Sequence, residues 1–122
     1  MPQPPGPRRW RDKFKEAFRG VRDGVRGQSS FRVHFACAVL AIVTAILLRC
    51  EWVEWCFVIG CIGLVLTAEL FNSSIETLFK GLAKEAQDRV YPALDIAAGA
   101  VLVACVTAAV VGGIVFGKRL LM

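Results

Sequence analysis

The stretch Ala68-Glu69-Leu70-Phe71-Asn72-Ser73-Ser74-Ile75-Glu76 closes an apolar run that begins at Trp55 and carries no charge before Glu69. A run of that length reads as a helix in a membrane. At about 100° per residue, Glu69, Asn72 and Glu76 stand at i, i+3 and i+7 and share one face. Leu70, Ile75 and Leu78 point elsewhere. Two carboxylates and an amide in line at the end of a membrane-type helix are costly unless water, a metal ion or another polar group meets them.

The whole chain has the balance that this stretch suggests. It has 122 residues, enough for one domain, and is 56% hydrophobic, above the usual soluble range. Fifteen Lys and Arg against ten Asp and Glu leave a net charge of +5, so charge and apolar runs must be segregated. That is the make-up of a small integral membrane protein. A basic nucleic-acid binder, the other reading of the net charge, fits poorly because the apolar runs are too long and unbroken. The five cysteines, Cys37, Cys50, Cys56, Cys61 and Cys105, form no CxxC pair. Their odd number and scattered spacing read as small buried hydrophobes, not as a disulfide or zinc framework. His34, the only histidine, sits near the start of an apolar run and reads as a polar spot in helix packing.

Taken in order, residues 1–7 are a proline-rich lead, expected to be disordered. Residues 8–26 carry eight cations, and Trp10, Phe14, Ala17, Phe18, Val21 and Val25 recur at steps of three and four. This predicts an amphipathic helix on an anionic membrane surface. It is not a cleaved signal, because the apolar run starts only at Val33. Gly27-Gln28-Ser29-Ser30 breaks the helix. Spans are expected at about 31–48, 52–79 and 93–117, with Arg49-Cys50-Glu51 as a tight turn and Trp52 and Trp55 at an interface. Lys80 to Pro92 reads as a polar connection, with Pro92 starting the third helix. That helix carries 22 uncharged residues from Ile96 to Gly117, rich in Ala and Gly, which suits close packing in the bundle or at a subunit contact. The expected fold class is therefore an all-α membrane protein with an N-terminal surface helix and three spans, one domain over residues 8–122. Twelve Lys and Arg fall on the side of the N-terminus and the second connection, against three on the other. That places the N-terminus in the cytoplasm and the C-terminus outside.

A carboxylate near the bilayer surface can hold a hard cation such as Mg²⁺ that bridges phosphates. One set deeper, as Glu69 is, suits accepting a proton from a hydroxyl. Phosphoryl transfer from a nucleotide to a lipid hydroxyl needs those parts in that order. No Walker or kinase-type glycine loop is present. The same spacing also suits polar groups that only hydrogen-bond between helices, and residue types alone leave both readings open.

The segment Glu69 to Glu76 closely resembles the E-x-x-N-[ST]-[AS]-I-E signature of the prokaryotic diacylglycerol kinase family, which includes undecaprenol kinases. Phe18-Arg19-Gly20-Val21-Arg22, Phe31-Arg32 and the segment from Asp95 to Leu102 resemble further family segments. Nearly all of the chain beyond residue 8 is covered. The resemblance implies a homotrimer in the bacterial cytoplasmic (inner) membrane, with active sites shared between subunits. It implies phosphorylation of a lipid alcohol, diacylglycerol or a polyprenol, with ATP as phosphoryl donor and Mg²⁺ as cofactor. By position, Glu69 would be the general base and Asn72 would orient it or the substrate. Glu76 would bind the metal, with Gln28 where the family has a second glutamate. Glu85 and Asp95 would lie at the nucleotide, and Arg9, Arg22 and Arg32 near phosphate or lipid. Beyond Gln28, the chain has Lys80 where the family has Asp, and Leu94 where it has a phosphate-contacting Lys. Lys80 or Lys84 is expected to supply the missing cation. The same departures leave room for a catalytically weakened homologue that serves as a lipid-binding or structural membrane protein.

Overall fold

The computed structural model describes residues 9–27 and 30–122. These form four α-helices and no strand: α1 (Trp10–Gly27), α2 (Ser30–Leu47), α3 (Trp52–Lys80) and α4 (Lys84–Leu121). Of these, α3 and α4 are each long and apolar enough to cross a membrane alone. The bent pair formed by α1 and α2, at 100° to one another, adds a third candidate span. At 1.5 Å per residue α4 runs about 57 Å, well beyond a hydrocarbon core of roughly 30 Å, so one end projects into water. The expected disorder of residues 1–7 and the break at Gln28-Ser29 lie outside the described residues.

Three residues at most connect α3 to α4. The expected polar connection is therefore corrected: only 81–83 are non-helical, and Pro92 lies inside α4 and not at its start. The reason is local. Lys84, Glu85, Ala86, Gln87 and Arg89 are all good helix formers, so polarity there marks a helix end standing in water and not a loop. Gln87 donates from Nε2 to the Phe79 carbonyl at 3.1 Å, and the Phe79 and Tyr91 rings meet edge-on at 6.2 Å. Both hold the new helix against the old one. Pro92 removes the bond to the Asp88 carbonyl. Both residues are exposed, which lets water take that carbonyl.

The expected turn between α2 and α3 does form, closed by a left-handed residue. Arg49 has φ 53°, its N–H donates to Ile46, and the Cys50 N–H reaches back to Ala45. That is the bonding pattern of a Schellman cap, in which glycine normally fills the position of Arg49. An L side chain there costs about 1–2 kcal/mol. Arg49→Gly is therefore expected to raise stability by up to about 1 kcal/mol, after the greater freedom of glycine in the unfolded chain is subtracted. Thermal unfolding in detergent micelles measures it, and a lower midpoint would contradict the strain argument.

At the far end of the bundle the Glu51 N–H donates to Glu54 at 2.9 Å, and Arg119 Nε donates to the same carboxylate at 2.7 Å. Arg119 also lies 3.4 Å from Glu51, so the end of α4 is tied to the start of α3. Burial, and then the Glu54 carboxylate, push the neighbouring Cys50 thiol up from its ordinary value, the direction of an unreactive cysteine. All five cysteines are free thiols, and the expectation that they are buried is corrected: Cys37 and Cys56 are exposed and Cys50, Cys61 and Cys105 partly so, since a small apolar side chain on a lipid-facing helix need not be covered by protein.

The surface is that of a protein in lipid. Phe57, Ile59, Leu64, Phe71, Leu102, Val106, Val110 and Ile114 are all exposed, whereas Glu69, Asn72 and Ser73 are buried. The α1 helix presents Trp10, Phe14 and Phe18 outward and meets the bundle at its C-terminal end, where Gly24 and Val25 are partly buried. A Cβ added at Gly24 would stand 2.9 Å from Leu70 Cδ2. The surface helix thus crosses α3 one residue from Glu69.

Candidate functional site

The site is built from one face of α3. Glu69, Asn72 and Ser73 are 3%, 8% and 4% exposed, and Glu76 is partly exposed. Positions i, i+3, i+4 and i+7 give a row one helical face wide. Asn72 Nδ2 donates to Glu76 Oε1 at 3.1 Å, which joins the two outer members. The inner member faces α2, where His34 Nε2 lies 3.2 Å from Glu69 Oε2. Two of the buried polar atoms, Asn72 Oδ1 and Ser73 Oγ, have no hydrogen-bond partner among the described residues. A buried amide oxygen or hydroxyl left unpaired costs about 1–3 kcal/mol, so such atoms point to a ligand or a partner group.

Not every sequence candidate joins this row. Asp95 is exposed. It stands two residues, about 200° around the helix, from Ala97, which is buried and lines the α3–α4 contact with Asn72. Asp95 therefore projects away from the row of its own chain. Glu85, Lys80 and Lys84 are exposed around the α3–α4 connection, and Leu94 is partly buried. Arg9, Arg22 and Arg32 are exposed along α1 and the start of α2, with Arg22 3.8 Å from Asp23. Gln28 lies outside the described residues. Ser73 and His34 were not read as site residues from sequence. Ser73 completes the i, i+3, i+4, i+7 spacing and was legible there. His34 was not, because its partner is 35 residues away.

Two apolar clefts of about 410 Å³ flank the row. The first lies between α2, α3 and α4, and its walls include Phe57, Cys61, Leu66, Cys105 and Phe116. His34 stands at one end of it, with its Nε2 3.2 Å from Glu69 Oε2. The second runs along α3 and α4 and has Asn72 in its wall. Each can take hydrocarbon and each touches one polar member of the site.

Among the described residues no three His, Cys, Asp or Glu side chains cluster as a metal cage. The Glu76 carboxylate and the unpaired Asn72 Oδ1 are nonetheless adjacent hard oxygen donors. One or two protein oxygens, with substrate phosphates and waters, are the usual set for Mg²⁺, so this pair fits such an ion.

Fold and site together define a helical membrane protein with a row of acid, amide and hydroxyl groups buried at one end of its bundle. The pattern that describes prokaryotic diacylglycerol kinase matches residues 15–116, and the chain belongs to that lipid-kinase family. It is similar to an undecaprenol kinase of Bacillus subtilis, 29% identical over 107 residues, with 88% of this chain and 87% of the relative covered. It is also similar to a diacylglycerol kinase of Synechocystis, 33% identical over 101 residues, with 82% of this chain and 58% of that longer protein covered. No solved structure matches the chain at a significant level.

Proposed function

We propose that this protein transfers the γ-phosphoryl group of ATP to the hydroxyl of a membrane lipid alcohol, with diacylglycerol as acceptor and phosphatidic acid as product. The observation that carries the proposal is the row of Glu69 and Asn72, both buried, and the partly exposed Glu76 bonded to Asn72. In this reading the Glu69 carboxylate takes the hydroxyl proton as the hydroxyl oxygen attacks phosphorus and ADP leaves. Asn72 fixes the Glu76 carboxylate through its Nδ2. Glu76 would hold Mg²⁺ with Asn72 Oδ1 and Gln28, and the ion would neutralise phosphate charge. The cleft beside His34 receives hydrocarbon from the acceptor. Arg9, Arg22 and Arg32 attract phosphate and anionic headgroups at the cytoplasmic surface.

Asp95 and Glu85 belong to the nucleotide in this reading. Since Asp95 projects away from its own row, it serves the row of a neighbouring copy in a homotrimer. An undecaprenol acceptor is the second reading, supported by the relative of matching length that bears that name. The test is purified protein in detergent with Mg²⁺ and labelled ATP, offered diacylglycerol and undecaprenol separately. Labelled product from diacylglycerol supports the first reading, and product from undecaprenol alone replaces it with the second. No product from either points to a weakened homologue that retains lipid binding.

In this reading Lys80 or Lys84, exposed at the α3–α4 connection, takes the part of the family's lysine at the position of Leu94. The double variant Lys80→Ala/Lys84→Ala is expected to raise KM for ATP roughly tenfold, the size of one lost charge-assisted contact. An unaltered KM would remove the idea of compensation.

A further inference from the structure

We propose that His34 is a positioning residue for Glu69, holding the base in register with the acceptor. The inference rests on the reading of Glu69 as the base. Four observations converge on it. His34 is the sole histidine of the chain, set in an otherwise apolar stretch of α2 between Val33 and Phe35. Its side chain is 14% exposed and that of Glu69 is 4% exposed. Its Nε2 lies 3.2 Å from Glu69 Oε2, across two helices. It also lines the cleft between α2, α3 and α4, where it is the polar group at the end nearest Glu69.

A carboxylate buried at this depth needs hydrogen-bond donors to stay ionised and to keep one orientation. An imidazole with its proton on Nε2 donates to Oε2 and sets the plane of the carboxylate. It does so without placing a full positive charge inside the membrane, which Lys or Arg would bring. A general base works only when it is within hydrogen-bond reach of the proton it removes. Because His34 touches both Glu69 and the cleft, it fixes the base relative to whatever chain the cleft holds. A histidine that only joins two helices would affect stability and leave the chemistry of Glu69 alone.

The two roles separate in a pair of variants of the full chain. His34→Leu keeps the bulk and removes the donor. It is expected to lower kcat roughly 10- to 100-fold, the worth of one hydrogen bond to a charged group, with KM for ATP unchanged. His34→Gln restores an N–H donor and is expected to recover most of kcat. Unchanged kcat in His34→Leu, or a Gln variant no better than Leu, overturns the inference. Glu69→Gln run in parallel tells the two ideas apart. If it stays active, the base reading fails first; if it is inactive while His34→Leu is active, only the role of His34 fails. A second measurement needs no turnover. With one histidine in the chain, ring ¹⁵N resonances report His34 alone. They are expected to show Nε2 protonated and to shift in Glu69→Gln, and identical spectra in both proteins overturn the inference.

Discussion

Glu69→Gln is expected to lower kcat for phosphoryl transfer to a lipid alcohol by at least about 100-fold, because a general base contributes roughly 10²–10⁴. The substitution keeps size and shape at a site only 3% exposed and keeps an oxygen that can face His34. The protein should fold as before. What is lost is the ability to take a proton, since an amide is not basic in this range. The loss should fall on kcat, with KM for ATP little changed, because in the proposed mechanism the side chain meets the acceptor hydroxyl and not the nucleotide. The check is transfer of labelled phosphate at saturating lipid, with thermal unfolding as the folding control. Full turnover in a folded variant would move the chemistry away from this row.

The second large effect is expected at Glu76. Its carboxylate accepts from Asn72 Nδ2 at 3.1 Å and lies beside the unpaired Asn72 Oδ1. If these oxygens hold Mg²⁺, Glu76 supplies the only protein charge on the ion, because position 28 is a neutral glutamine. Glu76→Ala should then raise the Mg²⁺ concentration at half-maximal rate by roughly 100-fold, since the number of charged ligands sets affinity for hard cations. Glu76→Gln should fall between, an amide oxygen still being a donor. The measurement is rate against Mg²⁺ at fixed ATP. A curve that does not move in either variant would assign the metal to other residues.

The row itself was legible because helical periodicity needs no tertiary information: three polar groups at i, i+3 and i+7 share a face in any α-helix. Ser73 fits the same arithmetic, but a hydroxyl carries no charge to single it out in the sequence. The start of α4 is hidden in the sequence for a different reason. Polar residues between two apolar runs suggest a connection, yet Lys84 to Arg89 favour helix, and nothing in a hydropathy pattern says where a helix leaves the membrane. Asp95 illustrates a third limit. Small residues surround α4 on every side from Ala97 to Gly113, so no stripe marks the face that meets α3. Only the packing of Ala97 and Ala104 against α3 shows that Asp95 points the other way.

By itself the sequence determined an all-helical membrane protein, the alignment of Glu69 with Asn72 and Glu76, and the lipid-kinase family, all of which follow from local periodicity, apolar run length and a contiguous motif. The tertiary structure alone decided that Glu69 meets His34, that Asn72 and Ser73 are buried with unpaired oxygens, and that Asp95 faces away from its own chain's row. These depend on how helices rotate about their axes when they pack. In lipid that rotation is governed by close contact of small side chains, because water is not there to drive apolar faces inward.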